Sequence, residues 1–266
     1  MFLRNVFRKK LNRMRVVFGL GGFLMAACGP VHQESQNLER TSDPITRGQT
    51  LKPNNNLSHF IVAVVAGQAA GQALCTGSIL SESMILTAAH CVEGQPTKVQ
   101  IVFANNVKKA TLAQTRMATA IYQNPFWHNP SANRKGDLAI IKFSGGLPKG
   151  FLPVKLADDN FELNNDQDVL FAGYGVTNGK KETGAGTLRM TKTKVIGQKS
   201  KTEVMTDGRE TSVCFGDSGG PGFVFINNEF IQWGVASSVL NQSCNEASIH
   251  TSIMDYKTWI QTTMLR

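Results

Sequence analysis

The chain has 266 residues, of which 41% are hydrophobic and 18% charged, and its net charge is +9. This composition excludes a wholly disordered chain, a collagen-like repeat and a multi-spanning membrane protein. The positive charge suggests a nucleic acid as partner only if it is spread over the folded part. Six of the 28 basic residues lie within residues 1–27, which contain no acidic residue, so the remainder is nearly balanced. We therefore expect no nucleic-acid partner.

Residues 1–27 have the organisation of an export signal, with a basic region, a short apolar run from Val16 to Met25 and small residues before Cys28. The run is too short to span a bilayer comfortably. Met25 to Gly29 resembles the lipobox of bacterial lipoproteins, in which the cysteine becomes the lipidated first residue, although methionine stands where leucine is usual. The alternative is an ordinary signal peptide cut after Ala27. Either form is exported, as an outer-membrane lipoprotein or as a periplasmic or extracellular protein.

The segment that follows, residues 28–44, is polar, contains prolines and lacks apolar periodicity, which is typical of a tether or a pro-segment. Short apolar runs then recur between Gly, Pro, Asn and Asp clusters. Because these runs have the length of strands, they predict an all-β barrel or sandwich. The predicted strands are Phe60–Val65, Ser78–Leu86, Val99–Phe103, Ala118–Tyr122, Leu138–Phe143, Val169–Ala172, Thr187–Ile196, Gly222–Ile226 and Ile231–Ala236.

Only the end of the chain departs from this pattern. Ile253, Tyr256 and Ile260 recur at helical spacing and predict a C-terminal helix within residues 253–266.

The chain has five cysteines, and four remain if Cys28 is lipidated. Because an exported protein meets oxidising conditions, we expect two disulfides, for which four cysteines allow three connectivities. The competing use is a zinc site, but no two cysteines have the Cys-x-x-Cys spacing of zinc knuckles. We expect neither a metal nor a cofactor.

Three motifs far apart on the chain carry candidate catalytic residues. His90 ends an apolar run, Asp137 directly precedes a predicted strand, and Ser218 stands in Gly216-Asp217-Ser218-Gly219-Gly220. Taken alone, the histidine could be structural and the aspartate a turn residue. A serine hydroxyl is a poor nucleophile, however, and needs a histidine as proton acceptor and a carboxylate to orient that histidine.

With His, Asp and Ser in this order, the sequence resembles the chymotrypsin/trypsin-type serine endopeptidases from about Ile45 to Arg266. Further landmarks are Cys75 to Leu80, Ile121 to Phe126, Ala172 to Gly175 and Gly234 to Ser237. The resemblance implies two packed six-stranded antiparallel β-barrels, formed by residues 45–155 and 156–252, followed by the C-terminal helix. It also implies two disulfides, which are Cys75–Cys91 and Cys214–Cys244.

The resemblance assigns a role to each catalytic residue. His90 is the general base and later the general acid, Asp137 orients it, and Ser218 attacks the scissile carbonyl. The backbone amides of Gly216 and Ser218 form the oxyanion hole. The partners implied are protein or peptide substrates, with a membrane contact only through a lipid on Cys28, and we expect a monomer.

The specificity pocket is expected around four residues. Ser212 lies at its floor, where trypsin-like members have aspartate, so the pocket gives a basic side chain no counter-charge. Ser237 belongs to the strand that lines the cleft, and Val239 and Ser248 replace glycines of the wall. These features predict cleavage after small or medium apolar residues, unless Val239 and Ser248 face elsewhere.

Activation is where the sequence departs most from the family. In the family's zymogens, cleavage frees an N-terminal ammonium that pairs with the aspartate before the nucleophile, here Asp217. The nearest match for the new terminus is Ile45, although cleavage would have to follow Pro44. The full chain is therefore expected to be a zymogen. The competing interpretation is a catalytically silent binding module, because some members of the family keep the fold and lose a catalytic residue.

Overall fold

The structure is a computed structural model and describes residues 48–68, 71–94, 96–128 and 135–266. The predicted signal peptide, the lipobox with Cys28, the tether and Ile45 lie outside the described residues.

The first barrel is a closed, antiparallel, six-stranded sheet in the order β2-β3-β4-β7-β6-β5. Buried aliphatic side chains such as Val64, Ile85 and Ile141 fill its interior. The strands are β2 (Ile61–Gln68), β3 (Gly71–Ser81), β4 (Met84–Thr87), β5 (Lys98–Val102), β6 (Thr115–Gln123) and β7 (Ala139–Phe143). The single strand predicted over Ser78–Leu86 was wrong, because a turn at Glu82 and Ser83 divides it into the hairpin of β3 and β4.

The second barrel closes through the pairings β9–β10, β10–β11, β11–β14, β14–β13, β13–β12 and β12–β9. Its strands are β9 (Asp168–Gly173), β10 (Arg189–Ser200), β11 (Glu203–Asp207), β12 (Pro221–Ile226), β13 (Glu229–Val239) and β14 (Ala247–Ser252). Two short strands extend this sheet: β1 (Gln49–Thr50) pairs with β10, and β8 (Lys155–Leu156) runs parallel to β13.

The strands β11 and β14 were not predicted because neither is an apolar run. Every residue of β14 is buried, yet Ser248, His250, Thr251 and Ser252 are polar. A closed barrel pairs the backbone of every strand and encloses one of its faces, so polar side chains that find partners can be buried there.

The chain ends in a 3₁₀ turn (Met254–Tyr256) that leads into the helix α1 (Lys257–Met264). Tyr256 and Ile260 pack against the core of the first barrel, so the terminal segment crosses from the end of β14 to the other barrel. No helix among the described residues is long and apolar enough to cross a membrane.

Candidate active site

His90 and Asp137 come together because the strands beside them pair. His90 lies in the 3₁₀ helix Ala89–Val92 that follows β4, and Asp137 stands two residues before β7. The β4–β7 register places Thr87 opposite Ala139. Asp137 is buried, with Oδ2 2.7 Å from His90 Nδ1 and Oδ1 3.0 Å from the backbone nitrogen of His90. The carboxylate favours the tautomer with the proton on Nδ1, which leaves Nε2 as a proton acceptor.

Gly136 allows the turn that delivers Asp137 to this position. Its φ of 71° lies in the left-handed region. A Cβ atom there would lie 2.9 Å from Asn124 Nδ2 and 3.0 Å from the Tyr256 ring. Glycine is therefore required both by the backbone conformation and by the space available.

Ser237, on β13, links the second barrel to this pair. Its hydroxyl donates to Asp137 Oδ2 at 2.6 Å. Ser237 was expected in the specificity pocket, and the residue does line the cleft. Its side-chain hydroxyl, however, donates a hydrogen bond to the buried Asp137 carboxylate, which can accept more hydrogen bonds than those that His90 donates.

Ser218 and His90 line one cavity of about 260 Å³. Ser218 lies in the segment between β11 and β12, and its side chain is half-buried. The other lining residues are Val213, Cys214, Phe215, Ala236, Ser237, Ser238 and Val239. The structure thus brings together the three residues of the predicted catalytic set, which are far apart on the chain.

The segment from Cys214 to Gly219, here named the oxyanion loop, makes a sharp turn at Gly216, whose φ is 96°. Neither the Gly216 amide nor the Ser218 amide donates a hydrogen bond to an acceptor within the described residues. Because two backbone donors are available beside the serine, the loop can stabilise a negative charge that develops on a substrate carbonyl.

Asp217 belongs to the oxyanion loop, and its side chain is buried. Its Oδ1 accepts a hydrogen bond from the Gly175 amide at 2.8 Å, and its Oδ2 accepts one from the Cys214 amide at 2.9 Å. Burial raises the pKa of the Asp217 carboxyl to about 7, against the lowering effect of these two amides. Its predicted partner, the ammonium of Ile45, lies outside the described residues.

Ser212 and Ser248 are buried and hydrogen-bonded to each other, with 2.8 Å between their hydroxyl oxygens. Neither is among the residues that line the cavity. Ser248 is the register partner of Val239, which does line it. No lysine, arginine, aspartate or glutamate belongs to the described lining, whose walls are formed by apolar side chains and serines.

Two disulfides flank the site. Cys75–Cys91 joins β3 to the 3₁₀ helix that carries His90, and Cys214–Cys244 joins the oxyanion loop to the segment after β13. Cys75, His90 and Cys91 lie close enough together to suggest a metal site. Since thiolate is the form of cysteine that binds metals, the disulfide withdraws both sulfurs from that role.

A comparison with protein-family models identifies this arrangement. The family described as trypsin matches residues 45–260. The chain belongs to the trypsin family. By homology this trypsin-family member is a chymotrypsin-like serine endopeptidase, of the chymotrypsin and elastase type.

Individual relatives of the trypsin-family chain agree with this placement. A protein named chymotrypsin from Phaedon cochleariae is 26% identical over 82% of this chain and 81% of its own length. Chymotrypsin-like elastase family member 1 from Macaca fascicularis is 24% identical over 71% of this chain and 78% of its own. The solved structure of HL collagenase superposes with a TM-score of 0.70 at 23% identity and covers 82% of this chain and 98% of that one. That structural likeness shows the shared two-barrel fold.

Two contributors to the site were not predicted from the sequence. Ser237 was given no role toward Asp137, and Thr76 was included only within the landmark from Cys75 to Leu80, without a role. The hydroxyl of Thr76, buried between the barrels, hydrogen-bonds to the oxyanion loop. The signal for Thr76 in the sequence is that a polar residue follows a cysteine within a largely apolar or small-residue strand.

Proposed function

We propose that the chain hydrolyses peptide bonds through an acyl-enzyme formed on Ser218. His90 Nε2 removes the proton from the Ser218 hydroxyl as its oxygen attacks the scissile carbonyl. The same imidazole then protonates the leaving amine. Asp137 holds the tautomer and stabilises the imidazolium that forms. The observation that carries this proposal is the bond of 2.7 Å from His90 Nδ1 to Asp137 beside a cavity shared with Ser218.

The oxyanion loop would stabilise the tetrahedral intermediate. The Gly216 and Ser218 amides are the donors for the carbonyl oxygen as it becomes negative. Removing one such donor typically lowers the rate by about 10²- to 10³-fold.

Ser218→Ala tests the proposal. We expect hydrolysis of an unstructured protein substrate to fall by about 10⁶-fold, the scale known for loss of the serine in another Ser-His-Asp protease. The fold should persist, because only one oxygen is removed from a half-buried side chain. Ser144→Ala, at an exposed serine, is the matched control. Each chain should be assayed before and after limited proteolysis, and equal activity in Ser218→Ala and wild type would refute the assignment.

The cavity supports a preference for small or medium apolar residues on the acyl side of the cleaved bond. Val213, Ala236 and Val239 contribute apolar surface, and the described lining contains no carboxylate that could pair with a basic substrate side chain. Burying an unpaired lysine or arginine there would be costly. A peptide library should give cleavage mainly after Ala or Val, and a profile dominated by Arg, Lys or Phe would refute this preference.

Activation of the chain is proposed to follow the family's route. A free ammonium at Ile45 would pair with Asp217, whose burial makes a counter-charge favourable. N-terminal sequencing of the active species should then begin at Ile45. An active species that retains the residues before Ile45 would contradict this route.

Export is proposed from the leader, with Cys28 as the lipidated residue. Intact mass measurement of the mature chain distinguishes the alternatives, because a diacylglycerol on Cys28 adds mass that cleavage after Ala27 alone does not. A chain that starts at Met1 in the mature protein would refute export by this signal.

A further inference from the structure

Thr76 lies in β3 of the first barrel, and its side chain is fully buried against the oxyanion loop of the second. Its hydroxyl accepts a hydrogen bond from the Tyr174 amide at 3.1 Å and donates one to the Gly216 carbonyl at 2.9 Å. Its own amide donates to the Ser218 carbonyl at 2.8 Å. One residue thus holds two carbonyls of the loop that carries the serine.

The direction of each oxyanion donor depends on the carbonyl of the same peptide group. A trans peptide group is planar, with its C=O and N–H pointing in opposite directions. The Phe215 carbonyl accepts from the Val176 amide at 2.8 Å, which turns the Gly216 N–H the other way. The Asp217 carbonyl accepts from the Gly220 amide at 2.8 Å, which does the same for the Ser218 N–H.

The peptide group between these two donors is the one that Thr76 controls through its side chain. The Gly216 carbonyl accepts a hydrogen bond from the Thr76 hydroxyl. At the other end of the same peptide group, the Asp217 amide donates a hydrogen bond to the Cys214 carbonyl at 2.9 Å. The Phe215, Asp217 and Ser218 carbonyls all accept from backbone amides. Among these four carbonyls, Gly216 alone depends on a hydroxyl that a substitution can remove.

Packing confines the Thr76 side chain to this orientation. A Cβ atom on Gly173 would lie 2.9 Å from its hydroxyl oxygen, and one on Gly220 would lie 3.2 Å from its methyl carbon. Both contacts would be tighter than side chains normally tolerate. The side chain therefore fits between two glycines, which leave room for it and little room for another rotamer.

We propose that Thr76 is a positioning residue for the hydrolytic reaction: its hydroxyl fixes the Gly216–Asp217 peptide group and thereby aims the two oxyanion donors. This inference rests on the proposed function of Ser218 and the oxyanion loop. Without the hydroxyl, the Gly216 carbonyl and the Tyr174 amide lose a buried partner, and the loop can relax by rotating the peptide group at a glycine. Misplacing donors by a fraction of an ångström weakens transition-state binding more than substrate binding.

The test compares Thr76→Val, which keeps the shape and removes the hydroxyl, with Thr76→Ser, which keeps the hydroxyl. Thr206→Val is the matched control, because it removes another buried threonine hydroxyl, one bonded to His250 at 2.8 Å. Turnover is counted per active site titrated with a fluorophosphonate, so that unfolded molecules do not contribute. We expect kcat to fall by about 10- to 100-fold in Thr76→Val with KM nearly unchanged, and to stay within about threefold of wild type in Thr76→Ser and Thr206→Val.

A second measurement separates positioning from general stability. A peptide boronate, which forms a tetrahedral adduct on the serine, should bind Thr76→Val more weakly by the same factor as the loss of kcat/KM. Thr76→Ala replaces Thr76→Val if the valine variant does not fold. Equal kcat in Thr76→Val and Thr206→Val, or an equal loss in Thr76→Ser and Thr76→Val, would overturn the inference. If wild type gives no fluorophosphonate adduct on Ser218 either before or after limited proteolysis, the proposed function fails, and the role of Thr76 in it fails as well.

Discussion

The two halves of the active site are held in place by different means. In the first barrel, a buried carboxylate on Asp137 binds the His90 side chain and its backbone, so charged and polar side chains set the geometry. In the second barrel, the oxyanion loop is held by its carbonyls, four of which accept hydrogen bonds from backbone amides. Side-chain chemistry therefore determines the geometry of the first half, whereas backbone conformation determines most of the geometry of the second.

The two barrels also differ in which polar side chains they bury. The first barrel is filled by aliphatic side chains such as Ile85 and Ile141, and its buried polar residues include Thr87 and Asn124. The second barrel buries a histidine, His250. Polar groups in a core restrict a fold to the arrangement that satisfies them, and they make its stability depend on pH when one of them titrates.

With Ser218 in place, the largest expected effect comes from a substitution in the first half. Asp137→Asn should lower kcat by about 10⁴-fold, which is the loss known for this substitution in the chymotrypsin triad, because the amide favours the wrong imidazole tautomer. Steady-state kinetics against the exposed Asp158→Asn as control would measure it. A loss below about tenfold would mean that the carboxylate does not orient His90.

The polar interior of the second barrel predicts a stability effect. Burial lowers the pKa of His250 to about 3, and its ring stacks on Phe171 at 4.1 Å. In the unfolded chain the His250 imidazole is protonated below about pH 6.5, whereas in the folded chain it stays neutral down to about pH 3. The folded state therefore loses stability as the pH falls from about 6.5 to about 3. The loss is at most about 1.4 kcal/mol per pH unit.

His250→Phe keeps an aromatic ring beside Phe171 and cannot titrate. The free energy of unfolding is measured for both proteins by urea denaturation from pH 7 to pH 4. As the pH falls, wild type should lose stability relative to His250→Phe. The raised pKa of Asp217 acts in the opposite direction, removing stability as the pH rises from about 4 to 7, but it is common to both chains and cancels. A difference that stays constant with pH would contradict the assignment.

The smallest expected effect concerns Ser237, whose side chain reaches from the second barrel to Asp137 beside the first. Ser237→Ala removes the hydroxyl that donates to Asp137 Oδ2, and hydrogen bonds to charged groups contribute about 1.5–3 kcal/mol. We expect kcat to fall roughly 10-fold, because His90 still binds the carboxylate. Ser238→Ala, at the exposed neighbour, serves as a comparison for changes in substrate binding. A change in KM alone would mean that Ser237 contributes to the substrate pocket and does not support Asp137.

The sequence predicts the features that depend on side-chain chemistry better than those that depend on backbone conformation. His90, Asp137 and Ser218 stand out because their chemistry requires those side chains, and the apolar strands of the first barrel show as short hydrophobic runs. β14 was missed because a strand with serines, threonine and a histidine reads as a loop until a barrel encloses it. Thr76 was missed because its role depends on a carbonyl 140 positions away, a pairing that no local pattern encodes.

Peptide mapping of a trapped acyl-enzyme identifies the nucleophile directly. The full chain, before and after limited proteolysis, is mixed with an activated ester of a short apolar peptide, quenched in acid during the first turnover and analysed by mass spectrometry. The proposed mechanism predicts an acyl group on Ser218 that disappears in neutral buffer and never forms in Ser218→Ala. Ester hydrolysis with no adduct on Ser218, or with the acyl group on another residue, would contradict it.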